Sequence, residues 1–268
     1  MKLNFRFSVK RKHFALPYSA FLLALVIVPL FTIFYFAVID KSTGRLTFQY
    51  FKNVFTDGAV LPTLWRSLWI SVVTTVLCLV IGYPAAYMLS RMKKRTASVM
   101  IILFMLPMWI NFVLRTMATK LALVQLLGIE SKYFVLLFGM VYDFLPFMIL
   151  PLYTMLSNMD KSLIEAAQDL GAKPRQVFMR TILPLSLPGV ISGVIMVFIP
   201  ALTTFAISAI LTEGRVFLIG NMIENYVNYG IYGYAGAISI VMMLFIGLTM
   251  LLNGKFGGKG AGARGGVV

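Results

Sequence analysis

The sequence predicts an all-α integral membrane protein with six transmembrane helices. Of its 268 residues, 60% are hydrophobic and 12% are charged, whereas charged residues make up roughly a quarter of a typical soluble domain. The apolar residues gather into six long runs with few charges, each near the roughly 20 residues that a helix needs to cross a bilayer. These runs lack the alternation and the ~10-residue length of barrel strands, so helices are predicted to span the membrane.

The six predicted spans are separated by short segments. They occupy residues 14–39, 67–90, 96–114, 133–159, 181–212 and 225–254. Prolines inside them predict kinks, hinges or simple curvature, because proline removes a backbone donor and crowds the preceding turn. These are Pro84, Pro107, Pro146, Pro151, Pro188 and Pro200. The apolar segment 213–232 predicts a short interfacial or re-entrant helix, which protein or a watery cavity must cover.

Basic residues give the chain its formal net charge of +15 and predict its orientation. Most of the 24 lysines and arginines fall on one side if the runs span alternately. These residues are Lys2, Arg6, Lys10, Arg11, Lys12, Arg91, Lys93, Lys94, Arg95, Lys161, Lys173, Arg175, Arg180, Lys255, Lys259 and Arg264. This is the positive-inside pattern of cytoplasmic loops. The charge therefore indicates membrane orientation rather than nucleic-acid binding, and both termini are expected in the cytoplasm.

The chain is expected to form one compact helical domain. A basic cytoplasmic N-terminus occupies 1–13, the transmembrane domain 14–254, and a flexible glycine-rich tail 255–268. The first apolar run is longer than the h-region of a secretory signal, which has about 7 to 15 residues. We therefore expect this run to stay in the protein as a spanning helix.

Catalytic motifs are missing from the sequence. An ATPase needs a glycine-rich loop that ends in Gly-Lys-Ser/Thr, and a membrane metalloprotease needs paired histidines; no such loop occurs, and His13 is the only histidine. An aspartyl hydrolase needs two carboxylates in one site, but Asp143 is the only acid inside a run. A serine hydrolase would lack its histidine base in the membrane. No catalytic residue, metal site or bound cofactor is expected on this chain.

The loop between the fourth and fifth runs predicts a short amphipathic helix. Asp160 is a candidate N-cap, and Gly171 is well placed for the left-handed residue that ends a helix. Four apolar residues between them are predicted to form one stripe: Leu163, Ile164, Ala167 and Leu170. Such a stripe fits the groove of a partner protein, although a helix lying on the bilayer has the same pattern.

The same loop, at 157–184, carries a spaced motif. Glu165-Ala166-Ala167 is followed by Gly171 and then by Leu183-Pro184. This motif resembles the EAA signature of the permeases of bacterial ABC importers, with Thr181 where that signature usually has isoleucine. The resemblance implies that the loop holds a coupling helix seated on an ATPase subunit. ATP and Mg²⁺ would then belong to that partner.

Other segments are similar to the spermidine/putrescine permeases of the PotB type. They are Gly82-Tyr83-Pro84, 106–111 with Arg115, 145–153 and 218–221. The resemblance runs over nearly the whole chain and implies a type I importer (MetI-like) fold in a bacterial inner membrane, with a polyamine as substrate. It also implies three kinds of partner: cytoplasmic ATPase subunits, a second homologous permease and an extracytoplasmic substrate-binding protein.

One carboxylate lies within the predicted membrane region. Asp143 is near the middle of the fourth run, where an ionised carboxylate costs about 2.5–3.5 kcal/mol. One hypothesis makes it a station for an ammonium group, with Tyr142 and Trp109 as aromatic faces for cation–π contact. The alternative is an internal ion pair or hydrogen bond, for example with Arg115.

Two acids on the predicted outer side, Glu213 and Glu224, are candidates to draw a cation from a binding protein or to pair with that protein. In polyamine permeases an acid is expected nearer to Ala209, and this sequence has none there. Two alternatives stay open. The chain is either an ABC importer permease for another solute, such as a metal chelate, or a six-span channel or carrier that works without ATP.

Overall fold

The computed structural model is all-helical, as the sequence predicts. It describes residues 11–41 and 44–261, and the side chains of residues 21–41 and 44–251. Five helices in this part are long and apolar enough to cross a membrane, and a bent helix pair forms a sixth candidate span. Apart from one antiparallel bridge between Ile39 and Leu46, the described residues contain no strand.

The helices follow the predicted spans with shifted ends. The first six are α1 (Arg11–Val38), α2 (Gln49–Thr56), α3 (Val60–Arg91), α4 (Lys94–Met105), α5 (Phe112–Lys120) and α6 (Lys132–Ser157). The next six are α7 (Lys161–Asp169), α8 (Pro174–Val177), α9 (Leu183–Thr203), α10 (Ala206–Thr212), α11 (Ile219–Asn228) and α12 (Tyr232–Ala261). A 3₁₀ turn follows α4 at Leu106–Trp109, and π turns follow α5 at Leu121–Leu126 and α8 at Phe178–Ile182.

The third span, predicted over 96–114, is broken beside Pro107, one of the prolines predicted to kink spans. α4 and its 3₁₀ turn end at Trp109, and α5 leaves them at an angle of 91°. Asn111 starts α5, because its side-chain oxygen accepts hydrogen bonds from the backbone N–H groups of Val113 and Leu114. Hydropathy does not detect this restart, since the residues on both sides of it are apolar.

α3 and α6 run in the same direction. Arg91 and Ser157, at their C-terminal ends, line one pocket, and Arg66 and Tyr133, near their N-terminal ends, line another. The chain between them must return across the membrane, so the α4–α5 pair forms one crossing. α4 with its 3₁₀ turn is about 26 Å long, close to the roughly 30 Å of the hydrocarbon core. The described residues therefore make six crossings.

α9 packs closely against α6 in the opposite direction. Gly189 lies against Met155, and Gly193, one turn later, lies against Met148. A Cβ at Gly189 would lie 2.7 Å from the Met155 Cβ, and a Cβ at Gly193 would lie 2.7 Å from the Met148 Sδ. Small residues four positions apart let membrane helices approach and gain van der Waals contact. α3, α6 and α9 supply most of the largest buried core.

The short outer helix predicted within 213–232 is present as α11, and protein covers its N-terminus. Asn221 is buried there; its Oδ1 accepts a hydrogen bond from Ser208 Oγ at 2.6 Å, and its Nδ2 donates to the Phe205 carbonyl at 2.9 Å. The Ile219 N–H donates to Oγ of Ser67 on α3 at 2.7 Å. These bonds satisfy backbone groups that the helix ends leave free and fix α11 to the break between α9 and α10.

The ends of the chain and the prolines complete the comparison with the sequence. α12 extends to Ala261, past the predicted start of the tail at residue 255. Residues 1–10 of the predicted basic N-terminus and 262–268 of the tail lie outside the described residues. Of the six prolines predicted to kink spans, five lie inside continuous helices, and Pro107 lies beside the sharp bend.

Candidate functional site

The loop helix α7 has the ends that the sequence predicts. Asp160 caps its start, because Oδ1 accepts a hydrogen bond from the Ser162 backbone N–H at 3.0 Å. Gly171 follows its end with a φ of +79°, in the left-handed region that glycine adopts without a steric penalty. The Ala172 N–H then donates to the Ala167 carbonyl at 3.1 Å. Local hydrogen bonds therefore define both ends of this surface helix.

The four apolar residues of the predicted α7 stripe are unequally covered by the rest of the chain. Ile164 and Ala167 pack inward against the core. Leu163 and Leu170 are 47% and 89% exposed, and Ala166 between them is exposed as well. We call these three outward residues the exposed face of α7. The inward residues hold the helix to the domain, and the exposed face is uncovered in this chain.

The remaining motif residues lie on α7 and at the start of α9. Glu165 is exposed on α7, and Pro184 is exposed in the first turn of α9, while Leu183 is half-buried. Pro184 has no N–H to continue the hydrogen-bond ladder, and the π turn ends directly before Leu183. α7 contacts this turn, so the two halves of the motif lie in neighbouring elements.

Asp143 is buried, and a basic side chain compensates its charge. Its Oδ1 lies 2.7 Å from Nη2 of Arg115. The same guanidinium donates from Nη1 to the Pro107 carbonyl at 3.0 Å, and its Cζ lies 5.8 Å from the centre of the Tyr142 ring. The structure thus contains the internal ion pair, and an ammonium group at Asp143 would have to share the site with Arg115 or displace it.

The two predicted aromatic residues have different surroundings. Tyr142 is the ring that the Arg115 guanidinium reaches. Trp109 lies at the break of the third span and is 80% exposed. An exposed indole at this position is available to a partner, to lipid or to a solute, whereas the Tyr142 ring already holds a cation of the chain itself.

Glu213 forms an ion pair at the end of the helix bundle opposite α7. Its Oε1 lies 2.8 Å from Nζ of Lys120 at the end of α5. The hydrogen bond and the charge of Lys120 hold the pKa of Glu213 below its ordinary value, so the carboxylate is ionised at neutral pH. Lys120, Ala209 and Glu213 line one pocket of about 490 Å³. An acid therefore stands in the pocket that Ala209 lines, although not at position 209.

The predicted acids do not form a single cluster. Asp143 and Glu213 have separate basic partners, and Glu224 lies half-buried on α11. In the part of the chain that the structure describes, no group of three or more His, Cys, Asp and Glu side chains could hold a metal ion. The predicted acids therefore occupy three separate positions.

Two features were missed by sequence reasoning. Lys120 directly precedes the mostly apolar stretch 121–127, and a cation beside such a stretch is a signal that an acid compensates it. Phe178 packs against Tyr83 and Tyr87 of α3, and nothing in the local pattern of a single phenylalanine predicts this contact. Both features join elements that are far apart in the sequence.

The chain matches known transport proteins over most of its length. A family model described as "Binding-protein-dependent transport system inner membrane component" matches residues 61–256. The spermidine/putrescine transport system permease protein PotB of Haemophilus influenzae is 34% identical over 227 residues, which cover 77% of this chain and 76% of the relative. The protein of the same name in Escherichia coli is 32% identical over 229 residues, which cover 76% of this chain and 83% of the relative.

Solved structures match the fold at low sequence identity. A chain of a bacterial ABC transporter involved in import of the acidic polysaccharide alginate gives a TM-score of 0.74 at 15% identity, covering 93% of this chain and 95% of that chain. A chain of the bacterial alginate transporter in complex with a pentasaccharide-bound periplasmic protein gives a TM-score of 0.65 at 13% identity, covering 90% and 92%. These matches show a shared fold.

Proposed function

Since this chain belongs to the family of binding-protein-dependent transport system inner membrane components, we propose that it is the permease subunit of an ATP-driven polyamine importer. The family identifies a multi-pass membrane component of a transport system rather than an enzyme. The relatives named as spermidine/putrescine permeases support a polyamine as the substrate. The chain supplies one half of the path, and a second homologous permease supplies the other.

The exposed face of α7 is the observation that carries the proposal of ATP coupling. Leu163 and Leu170 are exposed, and apolar surface gains roughly 25 cal/mol per Å² when a partner removes it from water. We propose that the partner contacts α7, the turn after it and the start of α9, where Glu165, Ala166, Ala167, Gly171, Leu183 and Pro184 lie. We place the ATPase subunit there, with ATP and Mg²⁺ on that subunit, because this chain has no phosphate-binding Gly-Lys-Ser/Thr string.

The orientation follows from the same face. Lys161, Lys173 and Arg175 lie in the α7–α8 loop, and basic loops stay in the cytoplasm. Because six crossings separate the two ends of the domain, both termini are proposed to lie in the cytoplasm as well. The opposite side then carries Glu213 and Glu224, which we propose face the extracytoplasmic binding protein.

The proposed mechanism is alternating access. ATP closes the partner ATPases, α7 moves with them, and the spans rock to open outward; hydrolysis resets the spans. ATP can shift this equilibrium only by as much as its affinity differs between the two states. α7 must therefore stay docked in both states, which its capped ends and its inward contacts through Ile164 and Ala167 allow.

The path for a cation is proposed to use the outer and membrane acids together with aromatic faces. Glu213 and Glu224 would attract the solute at the outer side, and Asp143, Tyr142 and Trp109 would meet it deeper in the membrane. A permease for another solute is the second candidate. The observation in favour of this second candidate is that Asp143 and Glu213 are each already paired with a basic side chain of this chain.

Uptake into proteoliposomes tests the proposal. The complex of this chain with the ATPase, the second permease and the binding protein encoded beside it is expected to take up radiolabelled spermidine or putrescine only with ATP. Leu170→Glu should release the ATPase from the purified complex and abolish this uptake. Leu126→Glu is the matched control, because Leu126 is 82% exposed but lies on the outer side, so this variant should keep the ATPase bound.

The outcomes separate the candidates. ATP hydrolysis that the binding protein stimulates, without polyamine uptake, would leave an importer for another solute. Flux that does not require ATP would refute the importer and support a channel or carrier.

A further inference from the structure

Apart from its contacts with the core, α7 packs mainly against the segment that follows it, which consists of α8 and the π turn. A pocket of about 210 Å³ lies between α7 and the ends of α3 and α6, and Tyr87, Arg91 and Ile164 are among the residues that line it. α7 is therefore not packed solidly onto α3, and its movement reaches the spans chiefly through α8 and the π turn.

This segment is the base of one long helix. α8, the π turn and α9 form one continuous helical segment, Pro174–Thr203, which is long and apolar enough to cross a membrane. The Leu183 N–H donates to the Phe178 carbonyl across the π turn, so the backbone is bonded through it. A displacement at the base is therefore carried into α9. Single π turns within helices are frequent at functional sites.

Phe178, at the start of the π turn, packs between two tyrosines of α3. Its ring centre lies 5.9 Å from that of Tyr83 and 5.5 Å from that of Tyr87, with interplanar angles of 88° and 83°. Edge-to-face rings hold a preferred mutual orientation. The Arg91 guanidinium lies 5.1 Å from the centre of the Tyr87 ring and packs beside it. The phenyl ring therefore engages a braced aromatic surface on α3.

A buried hydrogen bond forms a second link between the same helices. The Tyr83 hydroxyl and Ser186 Oγ are 2.8 Å apart. Ser186 gives its own hydrogen to the Leu183 carbonyl at 2.9 Å, so Tyr83 is the donor in this pair. The ring contacts and this bond together fix the cytoplasmic half of α9 to α3.

α3 extends the connection to the outer side. It has 32 residues and is about 48 Å long. Near its other end, Oγ of Ser67 accepts the hydrogen bond from the Ile219 N–H of α11 at 2.7 Å. A tilt of α3 that begins beside Phe178 therefore moves the support of the outer helix α11.

We propose that Phe178 is a positioning residue that transmits movement of α7 to α3, and through α3 to the outer side, by its contacts with Tyr83 and Tyr87. The inference rests on the proposed function, in which α7 docks on the ATPase. Phe178 touches neither ATP nor the solute in this role. It sets how much transport each cycle of ATP hydrolysis produces, and it gives the Gly82-Tyr83-Pro84 motif a place in coupling.

The test measures spermidine taken up per ATP hydrolysed by the reconstituted complex. Phe178→Leu keeps apolar bulk and removes the ring, and Tyr87→Leu removes the ring on the α3 side. Each should lower the ratio by about two- to thirtyfold, the usual range for residues that carry coupling, with ATP hydrolysis and assembly unchanged. Phe138→Leu is the control, because Phe138 is a half-exposed ring on α6 that stacks on Phe134.

A double variant distinguishes this relay from general damage. Phe178→Leu and Tyr87→Leu remove the same contact, so the double variant should be no worse than the more affected single variant. The inference is overturned by effects that multiply in the double variant, or by a wild-type ratio in an assembled Phe178→Leu complex. If Phe178→Leu does not assemble, the spermidine taken up per ATP hydrolysed is compared between Tyr87→Leu and Phe138→Leu. Equal ratios in these two variants would overturn the inference.

Failure of the proposed substrate is separable from failure of the relay. If the wild-type complex takes up no spermidine or putrescine, the polyamine proposal is wrong. The relay is then judged by how strongly the binding protein stimulates ATP hydrolysis, which Phe178→Leu should reduce and Phe138→Leu should leave unchanged. Equal stimulation in the two variants would overturn it.

Discussion

Removing one member of the Arg115–Asp143 pair should destabilise the protein more than removing both. Arg115 lies on α5, Asp143 lies on α6, and the guanidinium also holds the Pro107 carbonyl at the break of the third span. The side chains of Arg115 and Asp143 are 11% and 5% exposed. Water therefore cannot solvate a charge that is left behind when its partner is removed.

The two single substitutions should differ in size. Arg115→Met removes the ion-pair partner of Asp143, and breaking a buried pair in this way costs about 3–5 kcal/mol. Asp143→Asn leaves Arg115 with the Pro107 carbonyl and the Tyr142 ring, so we expect a loss of about 3 kcal/mol or less. The double variant removes both charges and should lose no more than about 2 kcal/mol, since replacing a whole buried pair is often nearly neutral.

Thermal unfolding of the purified complex, followed by circular dichroism, measures these differences. One kcal/mol shifts Tm by roughly 2–4 °C for a domain of about this size. Arg115→Met should therefore lower Tm by about 10 °C, and the double variant by about half of that or less. Lys120→Met is the control, because it breaks the more exposed Lys120–Glu213 pair; solvent-exposed pairs contribute little to stability, so this variant should lower Tm far less than Arg115→Met.

Additive losses in the double variant would refute the reasoning, because residues that act as a pair must show coupling. The same double variant tests the station for an ammonium group. If Asp143 also holds the solute, the folded double variant should raise the KM for spermidine by about tenfold, the effect of losing about 1.4 kcal/mol of binding. A purely structural pair would leave KM at the wild-type value.

Glycine and acid positions allow further tests. Gly171→Val should uncouple uptake from ATP hydrolysis, because a φ of +79° costs a residue with a side chain about 1–2 kcal/mol; Gly230→Val, at a φ of +73°, should be strained equally but stay coupled. Gly189→Ala should lose about 1–3 kcal/mol in thermal unfolding, as expected for overpacking, because the new Cβ would lie 2.7 Å from a methionine Cβ. Gly247→Ala meets nothing within 4 Å and should gain about 0.5–1 kcal/mol. The lowered pKa of Glu213 means that its ion pair stabilises the fold above the ordinary value of 4.5, and that this contribution is lost as pH falls through the lower folded-state pKa. The Tm difference between wild type and Glu213→Gln should therefore be present at about pH 7 and should shrink as the pH is lowered below 4.5.

Features that depend on neighbouring residues were predicted well from the sequence. Long apolar runs predicted the spans, because hydropathy sums over adjacent residues. The ends of α7 were predicted for the same reason: Asp160 bonds a backbone group two residues away, and Gly171 adopts its left-handed φ within its own turn. The short outer helix α11 was predicted from its composition.

Features that depend on distant packing were predicted poorly. The apolar residues of α7 were predicted as one stripe, but the pattern did not show that Ile164 and Ala167 pack on the core while Leu163 and Leu170 stay exposed. A kink at Pro107 was predicted, but the 91° bend and the helix start at Asn111 were not, because hydropathy does not distinguish a capped restart from a continuous apolar helix. The helix ends also differ from the predicted span ends, because polar capping and tertiary contacts, rather than hydropathy, decide where a helix stops.

The sequence by itself determined that this chain is a six-span membrane component with a surface helix between its fourth and fifth spans. Only the tertiary structure decided that Arg115 faces Asp143, that Lys120 meets Glu213, and that Phe178 packs on α3. The physical reason is that hydropathy and capping act over a few residues, whereas charge compensation and ring packing depend on which helix faces come together in the folded bundle.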